Sequence, residues 1–447
     1  MFNEVAPKRI TLSEWSRQFR KVPDEVIKKF NYYQNSDWGR YLSPPATFFV
    51  YGARELKELK FDNSFSSLRL WGFVFNESER LFRAKQMGRK VIATMGDLGI
   101  IPVIVMAFPE AIPFYPECFW WVPFYNKSNV LLTRASELGI PEATCFSKAI
   151  LAAFSKRAYF PVPDLIIAAT GASCDDYSCL MQLLEDIGYN PLWVEIPLRR
   201  QGSEERVAGY LIEEYQKIWQ KMIEITGCNL QKEELKKSIR KANYLRSLVK
   251  ELKETVSQAK IAPLPALEMM VIEFGNLYGY GDFAEWIKIV EGILQTVKER
   301  VAKGIGVLRE DAIPIAWVTP SADPILLNLI EDFGCRVLTT EYLINQALVP
   351  ISENLDPFLA LAQAFLNASL IGTTKERIRR IKEEVEKGRI KGVLITNVLG
   401  ASHCALETKL MEEELQAVPV LAIDVPSPGG ITEQLKTRLE AFIETIK

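Results

Sequence analysis

The sequence predicts an α/β protein with two open parallel-sheet domains joined by a helical segment. Short apolar runs of strand length alternate with amphipathic stretches in residues 86–201, and the same rhythm returns in residues 305–447. Alternating strands and helices are the pattern of parallel sheets. Between them, residues 202–304 are charged and helical, with apolar side chains at intervals of three and four. Residues 1–85 form a mostly helical N-terminal region to which no function is assigned.

The first α/β domain contains four short β-rich runs: Arg89–Thr94, Ile101–Met106, Asp164–Ala169 and Pro191–Ile196. The third of these is continuously apolar, as expected of a strand that is buried on both faces of a sheet. Helix-like patterns lie between and after them, at about 128–138, 145–157 and 175–187. This order predicts parallel strands connected by helices.

The helical segment and the second domain are also recognised from local sequence patterns. Gly227 interrupts the charged helices and is typical of a helix C-cap. The second domain has strand-like runs at Ile313–Val318, Arg336–Thr339, Gly392–Val398 and Val418–Asp424. Predicted helices occupy Pro324–Asp332, Pro357–Ala368, Thr374–Lys387, Ala405–Glu414 and Thr432–Thr445.

Composition excludes several classes of protein. The chain has 54 Lys and Arg against 56 Asp and Glu, a net charge of −2, and so lacks the basic excess of nucleic-acid-binding proteins. It has no signal-peptide pattern and no apolar run of membrane-spanning length, which predicts a soluble cytoplasmic protein with no membrane partner. Seven cysteines in 447 residues are too few for a disulfide scaffold, so we expect reduced thiols.

The chemistry available to the chain is also restricted. His403 is its one histidine, which excludes histidine-rich metal centres. No GxxxxGK[ST] loop occurs, so we expect that this chain does not hydrolyse ATP.

Three cysteines stand where parallel sheets bind their ligands, at the carboxyl ends of strands and the starts of helices. Cys174 and Cys404 each follow a predicted strand and a Gly-Ala-Ser sequence, with His403 inserted in the second case, and Cys145 begins a predicted helix. A helix N-terminus lowers the pKa of a thiol and favours the thiolate that a metal binds.

The other cysteines are less distinctive. Cys118 lies in a loop, Cys179 follows Cys174 after four residues, and Cys335 lies between a helix and a strand. Cys179 can share a site with Cys174 only if Cys174 precedes the helix, because five helical positions turn the two side chains about 140° apart. A cysteine is often simply a small buried hydrophobe, and no CxxC pair is present.

Several segments together resemble the 2-hydroxyacyl-CoA dehydratase and benzoyl-CoA reductase superfamily. They are DLGIIPV, TCFSKAIL, PDLIIAATGASCDD, GVLITNVLGASHCALET and VPVLAIDVP, and the resemblance covers roughly residues 85–447. It implies two Rossmann-like (flavodoxin-like) domains with a 4Fe–4S cluster between them, held by three cysteines that match Cys145, Cys174 and Cys404. It also implies an ATP-hydrolysing 4Fe–4S activator protein that supplies low-potential electrons.

The additional cysteines make the chain more similar to the double-cubane cluster proteins of that superfamily. The resemblance then implies an 8Fe–9S double cubane on Cys118, Cys145, Cys174, Cys179, Cys335 and Cys404, in a homodimer that reduces small unsaturated molecules such as acetylene under anaerobic conditions. Cys228 would be the non-ligating cysteine.

Other interpretations remain open. The chain could be a dehydratase-like subunit with a single 4Fe–4S cluster, a non-catalytic electron carrier, or a structural protein with inert thiols. His403 is the candidate proton donor because imidazole titrates near neutral pH, although it could simply cap a backbone carbonyl. Asp175 and Asp176 are weaker candidates, since acids in the first turn of a helix are commonly there for the helix dipole.

Overall fold

The computed structural model contains two four-stranded parallel sheets, which confirms the predicted α/β class with two Rossmann-like open sheets. The structure describes residues 6–31, 41–42, 45, 54–96, 98–117, 128–157, 159–171, 174–319, 323–387, 389–398, 400–401, 406–425 and 431–447. Among these residues, no helix combines the length and the apolar character that a membrane crossing requires.

The N-terminal region is helical but also contains a small antiparallel sheet. Strand β1 (Arg9–Thr11) pairs with β2 (Lys60–Asp62). The helices are α1 (Leu12–Phe19), α2 (Asp24–Asn31), α3 (Phe65–Phe75) and α4 (Glu77–Gln86). Arg9 donates hydrogen bonds to Glu331 at 3.1 Å and to Asp332 at 2.6 Å. The start of the chain is thereby attached to the second α/β half.

The first sheet has the strand order β4-β3-β5-β6. Its strands are β3 (Lys90–Met95), β4 (Ala111–Phe114), β5 (Leu165–Gly171) and β6 (Leu192–Ile196). The helices between them are α5 (Ile101–Val105), α6 (Ser128–Glu137), α7 (Lys148–Lys156) and α8 (Asp175–Asp186). The strand-like reading of Ile101–Met106 is wrong. This run is buried on all sides, so its apolar pattern cannot separate strand from helix, and Pro102 suits the first turn of a helix.

Four helices form the middle of the chain: α9 (Glu204–Thr226), α10 (Lys232–Gln258), α11 (Ala266–Tyr278) and α12 (Phe283–Lys303). Gly227 ends α9 in the left-handed conformation, which confirms the predicted C-cap. All thirteen residues of α11 are buried, unlike the charged faces of its neighbours. This helix therefore forms part of the core rather than a solvated face.

The second sheet has the order β10-β9-β7-β8. Its strands are β7 (Ile313–Thr319), β8 (Cys335–Tyr342), β9 (Gly392–Val398) and β10 (Val420–Val425). Its helices are α13 (Pro324–Asp332), α14 (Pro357–Leu366), α15 (Thr374–Lys387), α16 (Thr408–Glu414) and α17 (Glu433–Ile446). A 3-10 helix at Leu343–Leu348 follows β8 directly.

A buried carboxyl group on α11 makes stability depend on pH. Glu268 accepts hydrogen bonds from Asp62, Ser67 and Trp71, and burial, reinforced by the negative charge of Asp62, raises its pKa well above the ordinary value of 4.5. The folded protein therefore retains a proton that the unfolded chain releases. The contribution of this protonated carboxyl group to the free energy of unfolding is fully present below the pKa of the unfolded chain. It is lost as the pH rises through the pKa of the folded protein.

We expect the E268Q variant, which is neutral at every pH, to lack this loss. Relative to the wild type, its free energy of unfolding should improve by about 1–3 kcal/mol between pH 5 and pH 7. Urea unfolding at the two pH values measures the difference, and E251Q, at an exposed position of α10, is the control. Parallel pH dependence in E268Q and the wild type would contradict the prediction.

Candidate metal centre

In each sheet, the direction in which the chain adds successive strands reverses once. The predicted cysteines follow the strands at which this direction reverses. In the first sheet the chain goes outward from β3 to β4 and then returns to the other side of β3 to form β5. In the second sheet it goes from β7 to β8 and returns to form β9. Ligands of open parallel sheets bind at such switch points, outside the carboxyl ends of the strands. Cys174 follows β5 and Cys404 follows β9, so both belong to switch-point loops.

The loop after β9 is packed directly against the backbone of Cys145. Gly400 has a φ of +81°, and a Cβ atom placed on it would lie 2.5 Å from the Cys145 nitrogen and 2.6 Å from the Ala143 oxygen. No side chain fits in that space, and the left-handed conformation also favours glycine. Gly400 therefore allows the second half of the chain to reach the cysteine of the first half.

Cys145 lies in the turn before α7, and its thiol donates a hydrogen bond to the carboxylate of Asp176 in α8. Burial raises the pKa of this thiol to about 11 and outweighs the hydrogen bonds from Ser147 that lower it. The expectation of a lowered thiol pKa is therefore wrong for Cys145, because burial disfavours the thiolate more than the helix start favours it. Burial also raises the pKa of Asp176.

Cys174 is the N-cap residue of α8, with an extended backbone, and so it precedes the helix. This meets the condition under which Cys174 and Cys179 can share a site. Cys179 is exposed and follows Asp176 by three residues, which puts both side chains on the same side of α8. The start of α8 therefore presents Cys174, Asp176 and Cys179 near the Cys145 turn.

Cys335 does not fit the predicted ligand set. It is the first residue of β8 and is fully buried in the hydrophobic core, whereas the switch-point loops lie at the opposite, carboxyl edge of the sheet. The eight residues of β8 separate these two edges by roughly 25 Å. Cys228 follows α9, and its thiol forms a hydrogen bond with the side chain of Glu110, which lies just before β4. This contact is consistent with the predicted non-ligating role of Cys228.

Three predicted site residues, Cys118, His403 and Cys404, lie outside the described residues. Within the part of the chain that the structure does describe, no group of three or more His, Cys, Asp or Glu side chains is arranged to hold a metal ion. Described residues nevertheless lie close in sequence to Cys118 and Cys404. Glu117, which is buried, ends the segment before Cys118, and Gly400 lies four residues before Cys404.

An arginine that the sequence analysis missed holds the two sheet edges together. Arg246, buried in α10, donates hydrogen bonds to the Ala347 oxygen at 2.8 Å and to the Gly99 oxygen at 3.1 Å. Gly99 follows β3, and Ala347 lies in the 3-10 helix after β8. The signal in the sequence was a single Arg within the apolar stripe of KANYLRSLVKEL.

A second missed arginine anchors the chain just beyond Cys404. The buried Arg377 of α15 pairs with Glu341 at 2.8 Å and with Glu407 at 2.6 Å. Thr374 donates a further hydrogen bond to Glu407 at 2.8 Å. Because Glu407 follows Cys404 by three residues, this ion-pair network fixes one end of the cysteine loop.

The described residues fit a thiolate-bound cluster. Cys145 and Cys174 are partly buried, and the hydrogen bond from Cys145 to Asp176 connects the Cys145 turn to the start of α8. Gly400, four residues before Cys404, packs against the Cys145 backbone. Thiolates are the ligands that iron–sulfur clusters require. The first and second α/β halves thus meet at Cys145.

A family model described as "2-hydroxyglutaryl-CoA dehydratase, D-component" matches residues 98–446. No curated protein matches the chain.

Proposed function

Because the chain belongs to the 2-hydroxyglutaryl-CoA dehydratase D-component family, we propose that it is a dehydratase-like component of a two-component iron–sulfur system. It holds one 4Fe–4S cluster on Cys145, Cys174 and Cys404 and acts on an acyl-CoA substrate. The observation that supports this most directly is the packing of Gly400 against Cys145, since it joins the loops of two separate sheets.

Residues of this chain exclude water from the proposed site, allow its loops to approach each other and hold those loops in place. Burial of Cys145 keeps water away from one ligand, and Gly400 allows the opposite loop to approach it closely. Arg246 and Arg377 hold the surrounding loops by ion pairs and hydrogen bonds. When bound, the cluster would supply low-potential electrons and one iron without a protein thiolate.

The electron donor is a separate protein in this proposal. The sequence contains no phosphate-binding GxxxxGK[ST] loop, so the energy of ATP hydrolysis has to come from a partner. We therefore propose an ATP-hydrolysing 4Fe–4S activator as the partner, and a homodimer of this chain as the assembly. His403 remains the proposed proton donor because it adjoins Cys404.

A double cubane is the second candidate. It needs six thiolates, and Cys335 and Cys228 lie away from the switch-point loops, which leaves five cysteines. The position of Cys179 on the Asp176 side of α8 favours a site larger than one cubane. In that case the chain would be a reductase of small unsaturated molecules such as acetylene, with a sixth ligand that is not a cysteine.

Iron and acid-labile sulfide per chain, measured after anaerobic reconstitution, decide between these functions. We expect about four irons per chain, whereas about eight would favour the double cubane. Absence of iron would overturn both proposals. A dehydration assay with the activator and ATP then separates a catalytic component from an electron carrier.

A further inference from the structure

A buried lysine of the next helix closes the turn that contains Cys145. Lys148 is the first residue of α7 and is 4% exposed. Its ammonium group donates hydrogen bonds to the backbone oxygen of Glu142 at 2.6 Å and to that of Pro141 at 3.1 Å. Lysine is rarely buried to this extent without a specific reason, which makes Lys148 a candidate for a role in the site.

Lys148 holds both ends of this turn. Its backbone N–H donates to the Cys145 oxygen at 3.1 Å. Its ammonium group bonds to the oxygens of Pro141 and Glu142 at the other end. Within the turn, the Thr144 N–H donates to the Pro141 oxygen at 3.2 Å. The lysine side chain therefore folds back over the turn instead of extending into solvent.

The second half of the chain packs on the same turn. A Cβ atom placed on Gly400 would lie 2.6 Å from the Ala143 oxygen and 2.7 Å from the Thr144 carbonyl carbon. Both atoms lie between the two ends that Lys148 holds. This lysine therefore keeps in place the backbone against which the Gly400 loop packs.

The charge of Lys148 also acts on Cys145. Burial lowers the pKa of Lys148, and the negative charges of Glu142 and of a Cys145 thiolate oppose this change. From α8, the carboxyl group of Asp176 faces the same cysteine. The sulfur of Cys145 thus has an acidic and a basic neighbour, and Lys148 supplies a positive charge near it.

A positive charge beside a cluster ligand changes the free energy of reduction. Each electron that a cluster accepts adds one negative charge, so a nearby cation stabilises the reduced form more than the oxidised form. The reduction potential of an iron–sulfur cluster depends on net charge, on hydrogen bonds to the sulfurs and on solvent exposure. Shielding from water strengthens the interaction, because the local dielectric constant is lower than that of bulk solvent.

We propose that Lys148 raises the reduction potential of the bound cluster by holding its ammonium charge beside the Cys145 ligand. This inference rests on the proposed function, in which a separate protein donates the electron. The cluster gains one electron and the donor loses one, while Lys148 neither gains nor loses a proton. Lys148 acts through the Cys145 sulfur and is therefore a positioning residue.

A redox titration of the reconstituted full chain, monitored by electron paramagnetic resonance, tests this role. We expect K148M to lower the equilibrium constant of one-electron reduction about tenfold, which is a shift of about 59 mV to a more negative potential. K148R retains the charge and is expected to titrate like the wild type. The matched control is K156M, which removes an exposed lysine from the other end of α7.

Iron content, measured on every variant, separates the effect of the charge from that of the turn. A wild-type potential in K148M, or a K148R potential equal to that of K148M, would overturn the inference. If K148M loses iron, K148Q replaces it, since glutamine is also neutral but keeps an N–H donor for the carbonyl groups. Loss of iron from both neutral variants would overturn the role in the potential and leave Lys148 a residue that only holds the turn.

Failure of this inference differs from failure of the proposed function. Absence of iron in the wild type would overturn the proposed function and this inference with it. Full iron content with an unchanged potential in K148M would overturn this inference alone.

Discussion

Replacing Cys145 with alanine is expected to reduce the iron bound after anaerobic reconstitution at least about tenfold. The thiol is partly buried beside Asp176, and the Gly400 loop packs on the backbone of Cys145, so no neighbouring cysteine can take its place without moving that loop. Iron and sulfide analysis with the visible absorption spectrum measures the loss. Urea unfolding of the metal-free variant shows whether the fold is retained.

The matched control is C335A. Cys335 is a fully buried thiol in the same chain, but it lies at the amino edge of the second sheet. We expect this variant to keep its iron and to lose only about 1 kcal/mol of stability through the small cavity. Equal iron loss in C145A and C335A would show that the losses reflect folding and not ligation. Full iron retention in C145A would refute the proposed ligand.

The G400A variant is expected to fold around a displaced loop and to lose most of its iron. An added methyl group would lie 2.5–2.7 Å from backbone atoms of Ala143, Thr144 and Cys145, none of which can rotate away as a side chain can. The left-handed φ of +81° adds about 1–2 kcal/mol of strain. Iron content, together with the unfolding midpoint, measures both effects.

The G139A variant distinguishes steric overlap from backbone strain as the cause of the iron loss. It has a φ of +85°, but an added Cβ would meet nothing within 4 Å. G139A should therefore show the backbone strain alone, with lower stability and unchanged iron content. If G139A lost as much iron as G400A, the close approach of the Gly400 loop would not be what assembles the site.

Local patterns predicted most strands and helices of this chain, and they failed where burial removes the pattern. The apolar run of β5 and the amphipathic faces of α9 and α10 were recognisable because length and periodicity agree with the final structure. Ile101–Val105 is buried on all sides, so its polarity does not vary with a helical period. The short strand β4 contains a proline and was missed.

The candidate site was predictable only in part, because it depends on contacts between distant segments. The position of Cys174 after a strand followed from local order, and so did that of Cys145 near a helix start. Cys335 entered the predicted ligand set only through the family resemblance, and β8 begins at this residue, which places it at the amino edge of the sheet. The roles of Arg246 and Arg377 required knowledge of their tertiary partners.

The complete burial of α11 limits how far the two α/β halves can move relative to each other. One side of this helix touches the first half, where the Phe274 and Tyr115 rings are 6.1 Å apart, and another touches β8 through Glu273 and Thr340. Separating the two α/β halves would expose several large side chains to water, at a cost on the order of 10 kcal/mol. The separation of the two halves is therefore set when the protein folds.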